Sequence, residues 1–126
     1  MLTLQRVPGR ETAPVADMLG VEIYEDEELF IALDGETIVG YAIYALTDLQ
    51  VVVSTFEADG NDAFVIDGLL RAVMNYAENR GREYVDFDEE CDGAMLDRLG
   101  FYGEDGRRYN LLISKFLQSG CGGVSS

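Results

Sequence analysis

The apolar and polar residues of this chain form short strand-like runs, followed by one long helical stretch. Residues 2–7 alternate apolar and polar side chains, which predicts an edge strand, and residues 11–19 predict a short helix. The apolar runs 29–33 and 37–46 flank Asp34-Gly35, a pair suited to a β-hairpin turn. Gly40, inside the second run, predicts a bulge or a close backbone approach.

The pattern then changes from strand to helix within one unit. Residues 49–57 are rich in β-branched side chains and predict a third consecutive antiparallel strand. A polar loop follows, and from Ala63 the apolar residues recur at helical spacing. Asn61 or Asp62 is a suitable N-cap, and Gly81 suits the left-handed position after the helix. Because the first N–H groups of a helix lack partners, this unit predicts a candidate anion cradle.

The remaining segments complete one domain. Residues 83–88 predict a strand parallel to the 49–57 strand, because a long helix connects the two. Residues 92–99 predict a short helix that ends at Gly100, and residues 108–117 predict a last strand. The expected fold class is α/β (α+β), with a mixed, mostly antiparallel sheet flanked by two or three helices. The domain is expected to span residues 1–118, and residues 119–126 form a flexible Gly/Ser-rich tail.

Charge and composition narrow the candidate functions. The 126 residues carry a formal net charge of −15, which argues against nucleic acid and against anionic membrane surfaces as partners. The acidic surface favours a small amine or a basic peptide, or it serves solubility alone. The absence of histidine excludes Ser-His-Asp and Cys-His chemistry. Cys91 and Cys121 are expected to be free thiols in the cytoplasm, and neither a secretion signal nor a spanning segment is predicted.

Three segments resemble a known family. The strand ETIVGYAIY, the helix GLLRAVMNYAENRG and the segment MLDRLGF resemble the GNAT superfamily of acyl-CoA-dependent N-acetyltransferases over residues 29–117. The resemblance implies a GNAT-like fold, acetyl-CoA as the acyl donor and an amine as the acceptor. It also implies that the backbone at Ser54, Thr55 and Phe56 contacts the pantetheine arm. A homodimer is a further expectation.

The chain departs from the family pattern at two positions. Family members carry an Arg/Gln-x-x-Gly-x-Gly/Ala loop at the CoA diphosphate. Here Asn61, Asp62, Phe64 and Ile66 fall on its basic and glycine positions, and Asn61, Asp62, Ala63 and Phe64 are the candidate cofactor-binding residues of the loop. A carboxylate at Asp62 repels a diphosphate and competes for the helix donors, so the acyl-CoA loop is degenerate. Leu96 stands where the family often has a tyrosine that acts as general acid toward the leaving thiolate. Tyr102 can replace that tyrosine only if its loop folds back.

The candidate catalytic residues are therefore Glu57, as a general base at the end of the central strand, and Tyr102, as a general acid. Glu57 is alternatively a solvated strand-end carboxylate. The acidic residues around Cys91 are interpreted as a solvated edge and Cys91 as a packed thiol, so no metal site is predicted. Two functions stay open: acyl transfer to an amine, or a non-catalytic binding or dimerisation module that has lost acetyl-CoA binding.

Overall fold

The computed structural model describes residues 1–117, so the predicted tail and Cys121 lie outside the described residues. The strands are β1 (Leu2–Arg6), β2 (Glu28–Asp34), β3 (Thr37–Leu46), β4 (Gln50–Ala58), β5 (Tyr84–Phe87) and β6 (Leu111–Leu112). The helices are α1 (Gly9–Leu19), α2 (Ala63–Asn79) and α3 (Gly93–Leu99), and a 3₁₀ turn (Asp59–Asn61) precedes α2.

The strands form one sheet in the order β1-β2-β3-β4-β5-β6. Each neighbouring pair is antiparallel except β4 and β5, which are parallel. The parallel pair follows from the connection, because α2 carries the chain from the end of β4 back to the start of β5. The predicted mixed, mostly antiparallel sheet is therefore confirmed.

Helices cover both faces of this sheet. On one face, called the α1 face, Leu29, Ile31 and Ile43 pack against apolar residues of α1 and the loop after it. On the opposite face, called the α2 face, a larger core joins the sheet to α2 and α3. Tyr44 is fully buried on the α2 face, whereas Tyr41 is only half-buried on the α1 face. Because side chains alternate along a strand, residues three positions apart lie on opposite faces, and these two rings do.

At Gly40, β3 lies close to both β4 and α2. A Cβ atom built there would lie 3.0 Å from the Glu57 carbonyl oxygen and 3.0 Å from Val65 Cγ1. The β2–β3 register also shifts beside Gly40, between Ala32 and Leu33. Both predicted features are therefore present, and this close approach fixes β4 relative to the first turns of α2.

The predicted strand over residues 108–117 is wrong for most of its length. Only Leu111–Leu112 pairs with β5, and residues 113–117 are helical. Ile113 and Phe116 are buried in the core of the α2 face. Their separation of three residues places both on one side of a helix, and tertiary packing therefore overrides the local strand pattern. In residues 1–117, no helix is both long and apolar enough to cross a bilayer.

Candidate active site

The parallel strands β4 and β5 separate halfway along β4. Gln50–Val53 pair with Tyr84–Phe87, and the Asp88 N–H then donates to the Val53 carbonyl at 2.9 Å. Residues 54–58 continue β4 with β3 as their only strand partner among the described residues. Backbone N–H and C=O groups on the other edge of this segment are thus available to an extended ligand that carries amide groups.

A β-bulge marks the point of separation. Tyr44 pairs with Val53 and Ile43 pairs with Thr55, so Ser54 is an extra residue on β4. A bulge leaves its extra residue unpaired and changes the direction of the local backbone and side chain. The predicted pantetheine-contacting residues Ser54, Thr55 and Phe56 therefore lie at the start of the open edge.

Glu27 reaches this bulge from the loop between α1 and β2. Its Oε2 accepts a hydrogen bond from the Ser54 hydroxyl at 2.5 Å, and its Oε1 accepts one from the Tyr24 N–H at 2.9 Å. Glu27 also lines a cavity of about 490 Å³ with Tyr24, Glu25 and Asp26. The sequence analysis does not identify this residue, because Glu27 is one of five acids within residues 22–28 and nothing in the pattern distinguishes it from the others. No local signal relates positions 27 and 54, which are distant in sequence and meet only through the sheet.

Glu57 lies further along the open segment. Glu57 pairs with Tyr41 of β3, and Thr55 pairs with Ile43 of the same strand. Thr55 and Glu57 therefore lie on the α1 face, about 7 Å apart along the strand. The Glu57 side chain is exposed, and its Oε2 accepts a hydrogen bond from the Tyr41 hydroxyl at 3.4 Å. Partial burial and the neighbouring Glu57 carboxylate raise the pKa of Tyr41, which therefore stays a protonated donor at neutral pH.

Tyr102 lies in a different part of the molecule. It lines a cavity of about 280 Å³ with Tyr84, Asn110 and Lys115, at the β5–β6 side of the sheet. The cavity that Glu57 lines, of about 160 Å³, shares no residue with it. The structure therefore does not bring Glu57 and Tyr102 together. Leu96 is fully buried in the core, so no hydroxyl replaces the family tyrosine at that position.

Cys91 is buried at the separation of the two strands. Its thiol donates to the Val53 carbonyl at 3.3 Å. Burial raises the pKa of this thiol to about 12, with a smaller increase from the nearby acids Asp88 and Glu90. A thiol with such a pKa is neutral at physiological pH and a poor nucleophile, which agrees with the predicted packed thiol. Among residues 1–117, no group of three or more potential ligand side chains is arranged for a metal ion.

The N-terminus of α2 is closed by its own cap. The Asp62 carboxylate accepts hydrogen bonds from the Phe64 N–H at 2.9 Å and from the Val65 N–H at 3.4 Å. Asn61 belongs to the preceding 3₁₀ turn and has a left-handed φ of 54°. Phe64 leaves 75% of its surface exposed at the helix entrance, and Ala63 is half-buried. Of the two predicted N-caps, Asp62 is therefore the one that caps α2.

An acyl-CoA, the donor that the family resemblance implies, would meet two different surroundings at this site. The β4 edge with its bulge fits a pantetheine arm, whose amides match free strand groups. The α2 N-terminus does not fit a diphosphate, because the Asp62 carboxylate accepts from two of its first N–H groups and because Asp34, Asp59 and Asp62 line the adjoining cavity of about 290 Å³. The other residues that line this cavity are Leu2, Val39, Phe64 and Val65, with no lysine or arginine.

Solved structures identify the architecture. An IAA acetyltransferase from Bacillus cereus matches with a TM-score of 0.60 at 11% identity, over 78% of this chain and 75% of that one. An aminoglycoside acetyltransferase from an uncultured soil metagenomic sample, in complex with sisomicin, matches with a TM-score of 0.58 at 16% identity, over 79% and 84%. The chain has the GNAT acetyltransferase fold.

A third GNAT structure was solved with its donor. A GNAT family acetyltransferase from Elizabethkingia anophelis with acetyl-CoA bound matches with a TM-score of 0.50 at 15% identity, over 68% of this chain and 63% of that one. No protein-family model matches the chain, and no curated protein sequence does either. The likeness to GNAT proteins therefore rests on the fold, and the residues of the site must be judged by their own geometry.

Proposed function

We propose that this protein is an N-acyltransferase that moves an acyl group from a thioester donor to an amine. The observation that supports this most directly is the separation of β4 from β5 at the Ser54 bulge, with the Glu27 carboxylate hydrogen-bonded there. The reaction requires two features of the protein: a surface that binds the extended, amide-bearing arm of the donor, and a group that accepts a proton from the amine. Solved structures of the same fold are acetyltransferases, and one of them holds acetyl-CoA.

The donor arm would lie along the open edge of β4. Its amide groups would pair with backbone groups of residues 54–58, in the way an added strand pairs with a sheet edge. The bulge would direct a backbone N–H toward the thioester carbonyl, whose oxygen gains negative charge as the amine attacks. Ser54, Thr55 and Phe56 serve here through their backbone, as the family resemblance implies.

The reaction is a direct displacement. The amine nitrogen attacks the thioester carbonyl, a C–N bond forms, the C–S bond breaks and the sulfur leaves as a thiolate. The acceptor amine is protonated at neutral pH and loses two protons in the reaction. We assign the first, whose loss frees the nitrogen lone pair before attack, to the Glu27 carboxylate because it accepts a hydrogen bond from the bulge residue Ser54. The second leaves the nitrogen as the C–N bond forms and passes through solvent to the departing thiolate. Glu57 is the second candidate, further along the same strand. Cys91 holds its own proton throughout, so no acyl-enzyme forms there.

The acceptor is proposed to be a cationic amine. The cavity beside Glu27 is lined by Glu25, Asp26 and Glu28 with a single cation, Arg6. A cleft with an excess of one sign of charge raises the local concentration of ligands of the opposite sign. The aminoglycoside acetyltransferase with the same fold was solved with sisomicin, which makes aminoglycosides suitable first acceptors to test alongside linear polyamines.

Matched carboxylate variants test this assignment. Acyl transfer to a polyamine and to an aminoglycoside would be measured with the wild type, Glu27→Gln and Glu57→Gln. We expect Glu27→Gln to lower kcat by about 100-fold or more, and Glu57→Gln to change it by no more than about threefold. The reverse pattern would restore Glu57 as the base. No transfer by the wild type from any thioester would favour the non-catalytic binding module.

A further inference from the structure

The α2 N-terminus differs from a phosphate-binding helix in its hydrogen bonds. A diphosphate binds at such a terminus through the first free N–H groups of the helix. Here Asp62 already accepts from the N–H groups of Phe64 and Val65, and the Asp62 N–H donates to the Asp59 carbonyl at 3.3 Å. A diphosphate would have to displace a covalently attached carboxylate that carries the same sign of charge.

The surrounding charges strengthen this conclusion. Asp34, Asp59 and Asp62 line one cavity, and no lysine or arginine lies among the lining residues. The Asp34 carboxylate is paired with the N-terminal ammonium group at 3.2 Å, which leaves Asp59 and Asp62 as the uncompensated charges. The arginines of the following segment are engaged elsewhere. Arg71 pairs with Asp67 at 3.0 Å, and the Arg80 guanidinium lies over the Tyr76 ring, 5.1 Å from its centroid. Arg82 donates to the Thr47 carbonyl, at the other end of α2. An acyl-CoA would bring several negative charges into an already negative region.

The side chains at this terminus also occupy space. Phe64 projects into solvent at the second helical position, and the adjoining cavity is bounded by Leu2, Val39 and Val65. Glycine at such positions lets a ligand approach the backbone closely, and a phenylalanine prevents it. The open edge of β4 carries none of these obstacles, because its free groups belong to the backbone of an unpaired strand edge.

We propose that the protein recognises its acyl donor through the pantetheine arm alone, and that the nucleotide portion of an acyl-CoA contributes no favourable binding energy. This inference rests on the proposed function, since it names the part of the thioester donor that the same site reads. Pantetheine is uncharged, so the acidic cavity beside α2 leaves its binding unaffected. A simple acyl-pantetheine thioester is then as good a substrate as acetyl-CoA or a better one.

The test compares three donors that differ only beyond the pantetheine arm. Transfer to one polyamine would be measured with acetyl-pantetheine, acetyl-4′-phosphopantetheine and acetyl-CoA. We expect kcat/KM for acetyl-pantetheine to equal or exceed kcat/KM for acetyl-CoA. A site that binds the nucleotide would instead give acetyl-CoA a kcat/KM about 100-fold higher. Raising the ionic strength should lower KM for acetyl-CoA and leave KM for acetyl-pantetheine unchanged, because salt screens the repulsion.

A charge variant and a matched control locate the effect. Asp62→Asn keeps an N-capping side chain and removes one negative charge. We expect it to lower KM for acetyl-CoA by about threefold at low salt, without changing KM for acetyl-pantetheine. Asp48→Asn removes the same charge from the exposed turn before β4, at the other end of the strand, and should alter neither value.

Binding measurements separate this inference from the proposed function. Calorimetry would use non-reactive thioether analogues of the three donors, with ADP as a competitor. Equal affinity for the pantetheine and CoA analogues without any transfer would support the inference and overturn the proposed reaction. A preference for CoA of about 100-fold, or competition by ADP, would overturn the inference while transfer continued. Binding of none of the analogues would overturn both.

Discussion

The open edge of β4 and the N-terminus of α2 are separated by a loop of four residues, yet they treat a ligand in opposite ways. Along residues 54–58 the backbone has lost its β5 partner, and within residues 1–117 no strand pairs with that side of the segment. At the start of α2 the free backbone donors have gained a partner, the carboxylate of Asp62. In the same strand-loop-helix unit, one end is open to a ligand and the other is closed.

This difference shows that a ligand site on one fold depends both on the arrangement of its strands and on the identity of single residues. The β4 edge is produced by strand topology and a bulge, which do not depend on a particular side chain. The helix N-terminus depends on the residue that precedes it, and a single carboxylate reverses its preference for anions. Architecture can therefore persist while one portion of a ligand site is lost.

The bulge at Ser54 can be removed by deleting that one residue. Removing the extra residue leaves the pairs Tyr44–Val53 and Ile43–Thr55 adjacent, so β3 and β4 would form a regular antiparallel ladder without changing faces. The β5 pairing stops at Val53 and is unaffected. We expect acyl transfer to fall by about 1,000-fold while the free energy of unfolding changes by no more than about 1 kcal/mol.

Ser54→Ala provides the control for that deletion. It keeps the bulge and removes only the hydroxyl that donates to Glu27, so transfer should fall by about tenfold. Activity and thermal unfolding would be measured on both variants. Full activity in the deletion variant would show that the bulge plays no part in transfer.

The rate at which Cys91 is alkylated measures how well its thiol is buried beside the open edge of β4. A Cys121→Ser variant would leave Cys91 as its one thiol. Because burial raises the pKa of Cys91 to about 12 from the ordinary value of 9.0, its thiolate fraction near neutral pH falls by about 1,000-fold. We expect alkylation of the folded protein to be slower than that of a free cysteine by about 100-fold or more. Its rate should still increase above pH 9 and level off only near 12.

The raised pKa of Cys91 also makes the free energy of unfolding depend on pH. The folded state holds the Cys91 proton more tightly than the unfolded state does, so this contribution is complete below pH 9 and is lost as pH rises toward 12. Denaturant unfolding at increasing pH would check this, with Cys91→Ala expected to show a shallower decrease. A rate plateau near pH 9 in the alkylation experiment would show that the thiol is accessible to solvent.

Asp62→Ala has the smallest expected effect and concerns the closed end. Loss of the cap leaves the Phe64 and Val65 donors without their side-chain acceptor, which should lower the free energy of unfolding by about 1 kcal/mol. Asp62→Asn should cost only a few tenths, because asparagine also caps. Asp92→Ala is a matched comparison, since Asp92 caps α3 through the Met95 N–H at 3.1 Å. Denaturant unfolding of the three variants measures these differences.

Local patterns predicted most of the fold. The Asp34-Gly35 hairpin, the long helix and the parallel β5 strand all depend on signals within a few residues, and each is present. The last strand was wrong because residues 113–117 fit either a strand or a helix by pattern, and packing of Ile113 and Phe116 in the core decides between them.

The candidate site was less predictable, because its contacts join elements that are distant in the sequence and meet only when the chain packs. Asp62 could be assigned as a cap from its place before an apolar helix, and its contacts follow that assignment. Glu27 could not be found, because its contact with Ser54 joins two elements through the sheet. Tyr102 could be proposed from its neighbouring Gly-Phe pair, but the path of its loop carries it to another cavity.

The sequence by itself determined the order of the elements, the mixed sheet and the negative charge at the α2 entrance. Hydrophobic periodicity, turn residues and an N-cap act over a few positions and need no tertiary contact. Only the tertiary structure decided where β4 leaves β5, that Ser54 is the bulged residue and that Glu27 meets it. These features depend on register and loop paths between distant segments, which are set when the whole sheet packs against its helices.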